Sequence, residues 1–190
     1  MMIVSAEALY ADVELPARIL KNTKIRMGGL ELELRGGTSI DLPLKVLAPL
    51  RSEGVADIDP SRLYSLQELN KMRWVEERSQ ELQGIEESFY LKAGLTLRWI
   101  EEQARSSDDP ALLTRARRTR AVIVDILRRR MYKIARLAVT NPLPSKAHMK
   151  NMTREERLLY ANLCHLLESW HSQMISMLEG GLPCLRRSRR

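Results

Sequence analysis

Residues 115–138, RARRTRAVIVDILRRRMYKIARLA, decide how the chain is read. At about 100° per residue, Ile123, Leu127, Ile134 and Leu137 fall in one stripe, with Ile126 and Ala138 at its edges. That spacing is the mark of an amphipathic helix. Ser106 to Pro110 supplies a capping loop before it, and Asn141-Pro142-Leu143-Pro144-Ser145 breaks the chain after it, so a helix is expected over 110–139. Arg130 lies inside the apolar stripe. A lone buried charge is costly, so it needs a partner. Either it bridges to Glu86 or Glu87 on the preceding helix, or it contacts another subunit or a ligand.

Nine basic residues stand between 115 and 136 against one acid, Asp125. Arg117, Arg118, Arg128, Arg129 and Arg136 lie off the stripe and make a candidate basic surface. Few aromatics interleave them, and no helix-turn-helix or zinc-knuckle spacing surrounds them. A solvated or protein-docking face therefore ranks ahead of a dedicated nucleic-acid site. Arg186, Arg187, Arg189 and Arg190 add a basic tail, 181–190, expected to be disordered. Outside these two places the chain is mildly acidic, so the net charge of +7 is local.

Three more helices follow from the same spacing. The first spans 62–82, with Leu63, Leu66, Leu69, Met72 or Arg73, and Val75 or Glu76 near its stripe. The second spans 86–104, carrying Phe89, Ala93, Leu97 and Ile100. The last spans 154–179, opened by a capping box of Thr153 with Glu156. On it Leu159, Leu163, Leu166, Trp170 and Met174 step by three and four, which reads as core or helix–helix packing.

Ahead of the helices the signals are β-type. Leu30, Leu32 and Leu34 alternate with Glu31, Glu33 and Arg35 between two Gly-Gly pairs, and Ile25 and Met27 alternate before them, so a hairpin is expected about Gly28-Gly29. A short helix over 42–52 has Pro43 near its first turn and Gly54 as its stop, although Pro49 counts against an unbroken ladder. Residues 55–59 suit one more strand. The fold class is α+β: a small β-rich domain over 1–59, a mainly helical bundle of four long helices over 60–180, then the tail.

Composition excludes several classes. Hydrophobic content of 44% and charge of 29% suit a globular domain. No stretch approaches the roughly 18 apolar residues of a membrane span, so no membrane association is expected. The first residues lack the features of a signal peptide. Two cysteines, Cys164 and Cys184, make no disulfide framework, which favours a reducing compartment. Cys164, His165 and His171 lack a metal-site pattern, and Met149, Met152, Met174 and Met177 with Trp170 read as packing, so no metal or cofactor is expected. No hydrolase, phosphate-loop or zinc-protease motif occurs, and an enzyme is not expected.

Three stretches resemble the α-domain of archaeal GINS subunits, the replication factors that accompany the MCM helicase. Glu86-Glu87-Ser88-Phe89-Tyr90-Leu91-Lys92 is similar to the opening of the family's second helix. Arg129-Arg130-Met131-Tyr132-Lys133-Ile134-Ala135-Arg136-Leu137-Ala138 is similar to the end of its third. Met152-Thr153-Arg154-Glu155-Glu156 is similar to the start of its last. With the small β-type region first, the chain looks like the β-first class. The resemblance implies a non-catalytic subunit of a heterotetramer, two copies of each of two related subunits. That assembly would bridge MCM to a RecJ-like or Cdc-type protein, with primase or DNA polymerase as further partners. The candidate subunit interface is Phe89, Tyr90, Arg130, Ile134, Leu137 and Trp170. A weak DNA contact through the basic helix and a cytoplasmic, nucleoid-associated location accompany this reading. The alternative is an independent nucleic-acid-binding module acting through the same basic helix and the tail.

Overall fold

A computed structural model describes residues 10–27, 29–141 and 143–179. Strand β1 (Glu14–Ile19) is followed by β2 (Thr23–Met27), β3 (Leu30–Leu34), β4 (Ser39–Pro43), helix α1 (Leu44–Ser52) and β5 (Ala56–Ile58). β1 is central in a three-stranded antiparallel sheet of order β4-β1-β5, while β2 and β3 form the expected separate hairpin. Gly29 turns that hairpin with φ +86°, a conformation that a residue with a Cβ rarely adopts. β1 was not expected from the sequence, because Leu15-Pro16-Ala17 breaks the strict alternation by burying three consecutive residues. Leu15, Ala17 and Ile19 meet Leu42, Leu47, Leu50 and Ala56 in one apolar cluster.

Two local expectations change. Helix α1 starts at Leu44, because Pro43 ends β4 with extended backbone (φ −56°, ψ 140°) and stands just before the helix. Pro49 does not break α1. It and Lys45, four residues earlier, are both exposed, so the missing ladder bond falls on the wet side of the helix.

The helices are α2 (Leu66–Arg78), α3 (Phe89–Ser107), α4 (Pro110–Thr140), the single turn α5 (Lys146–Met149) and α6 (Arg154–Leu178). The first of them is shorter than the expected 62–82. Pro60–Arg62 forms a separate 3-10 turn capped by Asp59, whose carboxyl is held below its ordinary range, chiefly by the Ser39 hydroxyl at 2.5 Å. Ser65 and Glu68 then make a reciprocal capping box: Ser65 N donates to Glu68 Oε2 at 2.7 Å and Glu68 N to Ser65 Oγ at 3.1 Å. α6 opens as expected, with both bonds of the Thr153–Glu156 box in place.

The described residues form two compact units, 10–71 with 88–123, and 72–87 with 124–179. In the first, Leu91 and Leu95 of α3 pack against the sheet's apolar cluster, and the Tyr64 ring lies 5.7 Å from that of Phe89. In the second, Leu82, Ile134, Ala138, Met152, Tyr160 and Cys164 form the core. The expected tail, with Cys184 and the four terminal arginines, lies outside the described residues.

Two apolar stripes sit elsewhere than expected. Along α4 the buried line is Ala116, Thr119, Val122, Ile126, Arg130, Ile134 and Ala138, centred one edge away from the predicted stripe, and Leu127 is exposed. On α6 the buried line is Glu156, Tyr160 and Cys164. Leu159, Leu166 and Trp170, expected in packing, face outward in this chain because the capping glutamate and Tyr160 take the inner face.

Candidate subunit interface

The second unit is organised by Arg130, which has no exposed surface. A guanidinium carries five N–H donors in a fixed fork. Here Nε donates to Glu156 Oε1 (2.7 Å), Nη1 to Glu76 Oε2 (2.9 Å) and the Gln83 carbonyl (2.8 Å), and Nη2 to Glu156 Oε2 and the Asn151 carbonyl (both 2.8 Å). All five donors are satisfied. The contact with Glu156 is bidentate, the geometry that arginine makes and lysine cannot.

Lys133, one turn on, completes the cluster. Its Nζ reaches Glu76 Oε1 at 2.5 Å, the Glu76 carbonyl at 2.6 Å and the Glu81 carbonyl at 2.9 Å. Two cations thus face two buried carboxylates, and the group is close to neutral. Glu156 also accepts from Thr153 N at 2.9 Å, so one side chain caps α6 and anchors it to α4. The end of α2, the segment 79–87, the turn before α6 and α6 itself all converge on Arg130.

The expected bridge from Arg130 to Glu86 or Glu87 is therefore corrected. Glu87 pairs instead with Arg157 (2.8 Å) and Arg154 (3.5 Å). The true partners were visible in part: Glu76 was placed near the first helix's stripe, and Glu156 was assigned to the cap. Nothing in local spacing joins them to Arg130, because their separations are 54 and 26 residues.

The basic surface divides likewise. Arg129 pairs with Glu77 and with Asp125, both at 3.1 Å, and Arg136 donates to the Gln80 carbonyl and side chain. These two are committed within their own unit and do not form a free anion-binding face. Arg117, Arg118 and Arg128 are exposed, and among the described residues no ion pair involves them.

The six candidate interface residues also separate. Phe89, Arg130 and Ile134 are fully buried in their own units and have no surface for a second chain to touch. Tyr90 and Leu137 are partly buried. Trp170 is 58% exposed; Leu166 (64%) and Leu178 (75%) on the same helix are exposed too, as are Val139 (68%) and Leu143 (70%). Val139, Leu143, Leu167 and Trp170 line an open cleft of about 600 Å³ between the end of α4 and α6. Two of the cleft's lining residues, Ala138 and Leu167, belong to or pack against the core cluster that holds Tyr160, whose hydroxyl donates to the Asn141 carbonyl at 3.1 Å and stands 3.2 Å from His148 Nδ1. Burial, with Cys164 adding to it, pushes the Tyr160 phenol up to about 12, so it remains a neutral donor.

Cys164 is buried in this core while His165 and His171 are exposed, and among the described residues no group of three ligands could hold a metal. Among those residues, too, no helix is long and apolar enough to cross a membrane. The helical bundle domain of GINS complex proteins (Sld5) matches residues 63–175. The chain belongs to the GINS family. It is a subunit of a DNA-replication complex, a member of a multi-subunit assembly with other GINS subunits. The family's subunits are non-catalytic. A search of curated proteins finds no match. In this GINS subunit the matched segment holds the whole Arg130 cluster and all of the exposed apolar side chains of α6 except Met177 and Leu178.

Proposed function

We propose that this GINS subunit is a non-enzymatic scaffold that docks a second, helix-first GINS-type subunit on the apolar side of α6. The observation that carries the reading is the row Leu166, Trp170 and Leu178, with Val139 and Leu143 across the cleft. Large exposed apolar patches mark interaction surfaces, and aromatic anchors dominate them. Helices leaving this much apolar surface outside suit closed oligomers, here a heterotetramer with two copies of each subunit.

The same reading places the complex between the MCM helicase and a RecJ-like or Cdc-type protein, with primase or DNA polymerase as further contacts. An archaeal, cytoplasmic and nucleoid-associated setting goes with it. Arg117, Arg118 and Arg128 support a weak DNA contact. With Arg129 and Arg136 paired internally, they make a thin basis for an independent nucleic-acid module.

The test is mass by light scattering. The chain alone should self-associate, and co-expression with a helix-first subunit should give one species near four chains. A monomer of 21.9 kDa that ignores that subunit overturns the proposal.

A further inference from the structure

We propose that a cleft in the first compact unit binds an acidic peptide segment through one apolar side chain and two flanking carboxylates. One wall carries Arg18, exposed on β1, and Leu20, just past the end of that strand. The other is the face of α3 that presents Leu95, Arg98 and Trp99.

The charges favour that ligand. Arg18 lies directly opposite Asp57 in the β1–β5 pair, yet Asp57 is taken by Arg51, whose Nε stands 2.7 Å from Oδ1. Arg98 and Glu102 are one turn apart on α3 and make no ion pair. Among the described residues the guanidinium groups of Arg18 and Arg98 have no hydrogen bond or ion pair, although Arg18 exerts a coulombic pull on Asp59. Two planar forks without partners, on opposite walls, suit carboxylates, which arginine binds bidentately.

The floor and the size choose the rest. Leu20 is about half exposed, at 53%, and with Leu95 and the partly buried Trp99 gives an apolar base between the arginines. The cleft measures about 200 Å³, below the roughly 300–1,000 Å³ of small-molecule sites. It has room for one side chain and not for a cofactor. Single-stranded nucleic acid fits less well, since successive bases need successive aromatic platforms and Trp99 is, among the described residues, the one aromatic ring lining the cleft. The inference is independent of the assembly proposed above, because none of these residues lies in the second unit.

The experiment uses the full chain and a fluorescein-labelled dodecapeptide of aspartate and glutamate with one central leucine. Fluorescence anisotropy should show saturable binding. Affinity should fall at least ten-fold for Arg18→Ala with Arg98→Ala, and similarly when the peptide's leucine is replaced by serine. Arg26→Ala, on the β2–β3 hairpin and outside the cleft, should leave it unchanged. Arg98→Glu alone provides a second variant, and matching melting curves confirm that the variants fold. Absence of saturation up to about 1 mM peptide overturns the inference. So does binding that ignores Arg18 and Arg98, or tighter binding of a twelve-nucleotide oligothymidylate through the same two arginines.

Discussion

Two regions of the second unit treat charge and apolar surface in opposite ways. Around Arg130, two cations and two carboxylates are withdrawn from water at the meeting point of α2, α4 and α6. Along the far half of α6, Leu166, Trp170 and Leu178 are left in it. The difference teaches that burial follows partnership more closely than residue type. Arg130 goes inside because five acceptors meet its five donors, and such a group is positional as much as stabilising. Trp170 stays outside because nothing in its own unit covers it, and an uncovered aromatic is an offer of contact to another molecule.

The contrast breaks most sharply at Arg130. Replacing it with alanine strands Glu76 and Glu156 without their counter-charge, and removing one partner of a buried pair costs about 3–5 kcal/mol. Urea denaturation should show that loss, with Lys133 unable to compensate because its three donors are already engaged with Glu76 and Glu81. A loss below about 1 kcal/mol would mean that the cluster is wetter and looser than described.

Thr153→Ala probes the link between the cap and the cluster. It removes a side-chain acceptor at the start of α6 but leaves Glu156 in contact with Arg130, so the expected loss is about 1 kcal/mol. A loss as large as that of Arg130→Ala, read in the same urea titration, would show that the cap positions Glu156 for the whole cluster.

The smallest effect belongs to Arg129, next in sequence to Arg130. Its pairs with Glu77 and Asp125 are partly exposed, where ion pairs contribute about 0.2–1 kcal/mol. Arg129→Ala should therefore shift the urea midpoint only slightly, and the shift should shrink further in high salt. Equal losses for these two neighbouring arginines would erase the distinction between buried and surface charge.

Much of this was legible in the sequence. The four helical segments, the β2–β3 hairpin and the Thr153–Glu156 box are local, written in spacing and in capping residues. The motif Arg129 to Ala138 was also visible, although its purpose was not. Arg129 and Arg136 read as an outward basic face, and Arg130 as a bridge to Glu86 or Glu87, because a helical wheel shows which residues share a side and never what lies opposite. Glu76 and Glu77 supply that answer from more than 50 residues away. β1 was missed because a proline and two small or apolar neighbours hide its alternation. The outward stripe on α6 was misread for a related reason: Leu166 and Trp170 have core spacing, and only the three-dimensional structure reveals that Tyr160 and Cys164 occupy the core instead.

The central claim is that the apolar side of α6 belongs to a second subunit. Leu166→Ser with Trp170→Ser tests it most directly, by light scattering of the variant co-expressed with a helix-first GINS-type subunit. Both positions are exposed, so the melting midpoint of the isolated chain should hold, with a stability change within about 0.5 kcal/mol. The account predicts that the defined assembly of the unmodified chain is lost. A variant that still forms the full complex at the same mass would contradict it.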